Sequence, residues 1–458
     1  MISPADMGTI QVEITNSCIH HCSNCTRFCG LHEKNFMMSM DEFRKAVDSL
    51  KDFKGIIGVM GGEPTLNPHF PEMIQYLHEV RPEGKKSAGL LAPTKDFNQF
   101  HQSNWNDTRR ARRGLWSALG NRYYENLEAI SDIFPYQCLN DHKNTGLHQA
   151  LLIPRKELGI SDEEWIPLRD ACWIQNEWSA SITPKGAFFC EIAAALDMLF
   201  DGPGGWPVEP DWWKRTPEEF GDQLHWCEMC SAALAVPRIE GNLETDFVSP
   251  AIWEKLKNRK AWKIINNRCC VFDTDHYDKS KYTINKNGVP YLSDNDIRVS
   301  QDTGNTLFPH EIKVLSADGV TPPQGSRFQQ ISKKDASDLK FTDWLMILNE
   351  NIPEKTVQYI ENAVFNPGVL YFADGGNLIF INRRASALRN CSVLPLKIKD
   401  LKKLYSKKKR YNWSNWKAPE KPSLHELWLK LSHRLSDSWH YRTGVILQKL
   451  FSGTASLR

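Results

Sequence analysis

Apolar positions recur with two different periods along the first third of the chain, and each change of period marks a strand-then-helix unit. Ile10-Gln11-Val12-Glu13-Ile14 alternates as a half-buried strand does. Residues 40–53 carry helical spacing, and a second apolar strand over 55–60 ends in Gly61-Gly62-Glu63-Pro64-Thr65. Helical spacing returns over 71–80 through Met73, Ile74, Leu77 and Val80. A polar connection follows, holding the apolar piece Gly89-Leu90-Leu91-Ala92-Pro93 and closing on Arg109-Arg110-Ala111-Arg112-Arg113. That basic run reads as a solvated edge or as a phosphate contact. Gly114-Leu115-Trp116-Ser117 reads as the third strand, 122–134 as a helix, and 136–139 and 149–153 as the fourth and fifth strands. Such repeats predict a parallel α/β sheet, whose ligands meet the C-terminal ends of its strands. This rule selects Ser117, the Asn140-Asp141-His142 group and Glu13, each with a loop polar group or helix cap as its plain alternative.

Chemistry enters where the first strand ends. It runs into Cys18-Ile19-His20-His21-Cys22-Ser23-Asn24-Cys25, a CxxxCxxC loop. Three thiolates this close can close on one [4Fe–4S] cube and leave one iron open to a ligand that is not protein. Spacing alone keeps zinc open as well, with His20, His21 or Cys29 as the fourth ligand. A second cysteine group runs from Cys172 through Cys190 to Cys227 and Cys230. Between its members lie a β-hairpin turning at Gly186, a helix over 191–200 and a Gly-, Pro- and Trp-rich loop over 201–213. By spacing, this group favours zinc over a second cluster.

Residues 248–263 read as a helix with Ser249 at the N-cap and Pro250 first. Cys269-Cys270 opens a mixed α/β stretch that reaches to about residue 390. Beyond it the composition changes. Residues 391–458 hold fifteen Lys and Arg against four Asp and Glu, so the tail is basic and the body acidic although the whole chain carries only +2. Lys402-Lys403 and Lys407-Lys408-Lys409-Arg410 are followed by Tyr411, Trp413 and Trp416. Basic and aromatic residues interleaved in this way suit a nucleic acid, while a helix face with snorkelling lysines is the plain alternative. Residues 424–450 carry Leu427, Leu431, Leu435 and Trp439 at helical spacing, as a helix packed on the body would.

A chain of 458 residues suggests two or three domains. No apolar run approaches the roughly 18 residues a membrane span needs, and the N-terminus lacks a signal-peptide pattern. No membrane partner is therefore expected. Seven of the twelve cysteines fall in the two metal-type groups, which fits a reducing cytoplasm, that of the host if the protein is viral.

With CxxxCxxC after the first strand and Gly61-Gly62-Glu63-Pro64 ending the second, the chain resembles the radical SAM superfamily. The resemblance implies a [4Fe–4S] cluster on Cys18, Cys22 and Cys25 whose open iron takes S-adenosylmethionine (SAM). Gly61, Gly62, Glu63 and Pro64 would then line the methionyl amino group, with Ser117 also facing the cofactor. Many members carry an aromatic residue before the third cysteine; Asn24 stands there, so another side chain, such as Phe28, would pack the adenine. The second group looks like the auxiliary-cluster extension related to the SPASM domain. That likeness reverses the preference for zinc and implies a second [4Fe–4S] cluster on Cys172, Cys190, Cys227 and Cys230. The implied fold is a partial (β/α)6 barrel over 1–165 with an auxiliary extension over 166–264. A mixed α/β domain over 265–390 and a basic helical tail over 391–458 complete it.

The implied activity is reductive cleavage of SAM to a 5′-deoxyadenosyl radical, which takes hydrogen from a substrate C–H bond. A flavodoxin- or ferredoxin-type protein would donate the electron, and Trp206, Trp212 and Trp213 would form an apolar wall or simply pack. The outcome would be isomerisation or dehydrogenation. The tail favours rearrangement of an amino-acid adduct on thymine in phage-type DNA hypermodification, which protects against host restriction. A carbohydrate, cyclitol or peptide is the rival substrate. Residues 343–350 resemble the core of nucleotide-sugar glycosyltransferases, with Asn349-Glu350-Asn351 where those enzymes place a metal-binding DxD. A zinc-stabilised nucleic-acid-binding protein is the reading of another class.

Overall fold

A computed structural model of the chain describes residues 1–82, 112–140, 147–282, 311–339, 343–363, 365, 369–382, 398–405 and 407–415. Residues 89–93, Arg109 to Ala111, Asp141, His142, Trp416 and the helix expected over 424–450 lie outside them. Strands β1 (Thr9–Glu13), β2 (Ile56–Met60), β3 (Arg113–Ser117) and β4 (Tyr136–Leu139) fall close to their expected places and pair in parallel. The expected fifth strand over 149–153 does not join them. Instead β5 (Leu147–Gln149) precedes it, and the free edge of β1 is taken by β6 (Ser179–Thr183), again in parallel. The hairpin partner β7 (Gly186–Phe188) closes the order β4-β3-β2-β1-β6-β7 as an antiparallel edge.

The reason lies in what each segment can bury. Ala150 and Ile153 are fully buried, but in a separate apolar cluster with Trp165, Leu234 and Phe272. Meanwhile β5 pairs antiparallel with β8 (Arg238–Glu240). An apolar run signals burial without saying which partner buries it. The parallel α/β character expected of the first part is present. The sheet takes its strands from Thr9 to Phe188.

Ile10, Val12, Ile57, Val59, Leu115 and Ile182 form one apolar cluster with the helices Met40–Ser49 and Phe70–Val80. The first helix starts at a capping box in which Ser39 and Glu42 satisfy each other's backbone N–H. Trp212 and Trp213 join the same cluster and donate to the Ser49 Oγ and carbonyl, so packing is what these rings do. Arg113 is neither a solvated edge nor a phosphate contact. It is 1 % exposed, and its guanidinium donates to the Ile133 and Arg81 carbonyls.

The short strands β9 (Asp246–Val248) and β10 (Cys269–Val271) pair in parallel behind the first sheet's cysteine loop. Ser249 caps a helix as expected, but the helix is Pro250–Leu256, with Trp262–Ile265 a separate turn. A second sheet holds β11 (Ile312–Ser316), β12 (Phe328–Gln330), β13 (Trp344–Leu348), β14 (Leu370–Phe372), β15 (Leu378–Asn382) and β16 (Arg410–Asn412). Its order is β12-β11-β13-β15-β14-β16, with parallel and antiparallel pairs mixed. Every residue of β13 and β15 is buried, which explains their unbroken apolar runs. β16 belongs to the stretch read as tail. Trp413 is 5 % exposed and packs against Phe365 and Tyr371, while Lys402 Nζ lies over the Phe372 ring at 4.4 Å. Asn349, Glu350 and Asn351 tie neighbouring loops through Gly376, Asn377 and Thr321. No helix among the described residues is long and apolar enough to cross a membrane.

Candidate metal centres

The loop that leaves β1 and the turn that leaves β2 form one piece. Gly62 N donates to the Thr15 carbonyl at 2.8 Å and Glu63 N to the Ser17 carbonyl at 2.7 Å. Gly61 has φ +155°, and a Cβ there would stand 2.0 Å from the Thr15 oxygen. At Gly62 a Cβ would meet the Ser17 oxygen at 2.2 Å and Cys18 Cβ at 2.9 Å. Only glycine lets the strand end lie flat on the cysteine loop. Glu63 then turns under it, fully buried. Its carboxylate accepts from Thr65 N, Thr65 Oγ1 at 2.6 Å, Ser117 Oγ at 2.9 Å and Ala118 N at 2.6 Å. Ser117, the last residue of β3, therefore meets this turn through Glu63. Burial raises the Glu63 carboxyl above its ordinary range, against the pull of these donors. Pro64 opens the 3-10 turn that Glu63 caps.

Cys18, Cys22 and Cys25 are joined in the loop by Cys29. Cys29, beside them, holds Cys25 down to about 5, while Cys18 and Cys25, with burial, drive Cys29 up. Burial, with Cys25 and Cys18 nearby, pushes Cys22 up. The ring of His21 is stacked on Trp262 at 3.7 Å. Asn24 adopts φ +45°, which asparagine tolerates better than most residues, and its amide serves as a staple. Oδ1 accepts from Phe247 N and Nδ2 donates to the His148 carbonyl, both at 3.0 Å. A phenylalanine side chain could make neither bond. Phe28, the residue expected to pack the adenine, is 1 % exposed and committed to the apolar cluster around Ile192 and Leu196.

The polar face of β1 is also buried, not solvated as its alternation predicts. Glu13 is 2 % exposed and pairs with Arg27 Nε at 3.1 Å; Arg27 Nη1 pairs with Glu191 at the same distance. Ser181 donates to Glu13 and Ser179 to Glu191. Desolvation raises Glu13 in spite of the guanidinium beside it. Arg27, Glu191, Asp246 and Lys263 were not legible as site residues. Arg27 and Glu191 stand 164 positions apart, and no local pattern announces such a pairing.

Cys172, Cys190, Cys227 and Cys230 border a single cavity, together with Arg169 and Met1. Cys172 precedes the Trp173–Glu177 helix and Cys190 precedes Glu191–Leu199, while the Gly221–Met229 stretch delivers the last pair. Burial pushes all four thiols up, Cys190 to about 12. Thiolates at that place require cationic charge, which metal ions supply. All eleven described cysteines are free. No three His, Cys, Asp or Glu side chains among the described residues are arranged as ligands of one metal ion.

No protein-family model and no curated protein matches the chain. Among solved structures it is similar to selenomethionine BtrN in an open conformation, with TM-score 0.27 and 13% identity over 48% of this chain and 84% of that one. It is also similar to BtrN in complex with AdoMet and 2-DOIA, with TM-score 0.26 and 15% identity over 48% and 85%. Scores this low lend no weight to any assignment.

Proposed function

We propose that the chain is a radical SAM enzyme, with a [4Fe–4S] cluster on Cys18, Cys22 and Cys25 and SAM against the strand end at Gly61, Gly62, Glu63 and Pro64. The observation that carries this reading is the seating of that strand end on the cysteine loop, with the Gly62 Cβ position 2.2 Å from the Ser17 oxygen. Bound together, the cluster and SAM would supply a 5′-deoxyadenosyl radical able to take hydrogen from a substrate. The chain's own part is to hold, orient and exclude water. Glu63 is a buried carboxylate fit to accept from an ammonium group, and Thr65, Ser117 and Ala118 fix its direction. The ion pairs of Arg27 brace the loop from the side of β1.

The cavity among Cys172, Cys190, Cys227 and Cys230 favours a second [4Fe–4S] cluster there. A cube needs room between its ligands, whereas zinc draws four sulfurs to about 2.3 Å of one point. With four thiolates that cluster would be closed to SAM and suited to electron transfer or structure, and a flavodoxin or ferredoxin would reduce the system. The basic charge of 391–458 favours a substrate carried on DNA, such as an amino-acid adduct on thymine. Since Trp413 is packed inside, lysine–phosphate contacts would carry the DNA affinity, which should fall steeply with salt. Absent or salt-insensitive binding would turn the reading to a carbohydrate, cyclitol or peptide.

The decisive test is anaerobic purification followed by SAM and dithionite. About eight irons per chain, with 5′-deoxyadenosine as product, are expected. Cys190→Ser should lower the iron to about four. Colourless protein carrying zinc and no sulfide, and forming no 5′-deoxyadenosine, would refute the assignment.

A further inference from the structure

A lysine and an aspartate, both closed off from water, lie directly against the cysteine loop. Lys263 is 0 % exposed and Asp246 2 %. Lys263 Nζ donates to the Cys22 carbonyl at 2.7 Å and pairs with Asp246 Oδ1. Its stem passes beneath Gly30, where a Cβ would stand 2.7 Å from Lys263 Cγ, and Lys263 N donates to the Gly30 carbonyl. The loop has been shaped around this side chain. Asp246 accepts in addition from Asn24 N, so the pair touches the loop on both sides of Ser23.

A buried ion pair is a poor source of net stability, because desolvating two charges offsets most of their attraction. The place offers something else. A fixed positive charge stands in a low-dielectric interior, bonded to the backbone of a cysteine read as a cluster ligand. Local charge and hydrogen bonds around the ligands are the means by which a protein sets a cluster's reduction potential.

We propose that Lys263 and Asp246 are positioning residues that set the reduction potential of the cluster at Cys18, Cys22 and Cys25, the lysine raising it and the aspartate lowering it. The proposal rests on the cluster reading of the loop. When a one-electron donor reduces the cluster, the site gains one negative charge, which Lys263 favours and Asp246 opposes.

The test is a redox titration of the full chain, purified anaerobically, following the electron paramagnetic resonance signal that SAM perturbs. Lys263→Met should lower the midpoint potential, Asp246→Asn should raise it, and Lys263→Arg should leave it near wild type. Opposite signs are the diagnostic, because a merely structural pair would move both variants together or neither. Unmoved potentials, or shifts of one sign, overturn the proposal while leaving the cluster reading intact. If Lys263→Met does not fold, Asp246→Asn decides alone, and no upward shift overturns it. A wild-type loop that binds no cluster overturns the reading and the proposal together.

Discussion

Glu63 shows how one residue's environment decides its chemistry. Its sequence neighbours Gly62 and Pro64 mark the turn, but its donors Ser117 and Ala118 arrive from the end of β3. Burial raises its carboxyl above the ordinary 4.5, so the folded chain binds this proton more tightly than the unfolded chain does. Its contribution to stability is therefore complete below the unfolded value and lost as pH rises through the raised folded one. Denaturant midpoints of wild type and Glu63→Gln, compared across that window, should show wild type losing ground to the variant as pH rises. A difference that stays flat with pH would contradict the buried, raised carboxyl. Glu13 is raised in both proteins and cancels from the comparison.

Among the elements, strand ends matter more than strand interiors. The alternation in β1 and the apolar run in β2 were legible, and both strands stand within a residue or two of their expected limits. Their contact at the tips was legible only as a composition, two glycines in a row. The structure supplies the reason, a backbone approach that leaves no room for a Cβ. Gly62→Ala must push against the Ser17 carbonyl, which is backbone and cannot swing aside. It should cost about 1–3 kcal/mol of stability, read from urea unfolding, and loosen the cysteine loop. By contrast, 149–153 does not join the first sheet because its four apolar residues, Ala150 to Ile153, fit any buried site, and β6 takes the sheet position instead.

For the molecule as a whole, buried polar contacts between distant segments add to the strand pairing and apolar core of the first sheet. Arg27 joins the cysteine loop to Glu13 of β1 and to Glu191 at the start of the helix after Cys190. It thus ties the loop that holds Cys25 to the residue that follows Cys190. Arg27→Met leaves two carboxylates buried without their cation and should destabilise the fold by about 3–5 kcal/mol. Adding Glu13→Gln and Glu191→Gln should restore much of that loss. A single variant as stable as wild type in chemical denaturation would show that the network is not needed.

Local information determined the strand-then-helix order, the two cysteine groups and the glycine turn, because periodicity and spacing act over a few residues. It also determined the charge contrast between body and tail. Tertiary structure decided which segment completes the first sheet, that Phe28 and Trp413 are core residues, and that β16 belongs to the second sheet. It also brought Arg27 to Glu191 and Lys263 to Cys22. The physical reason is common to all of these. A buried charge or ring needs a partner in space, and chain topology, not sequence distance, determines which residue that partner is.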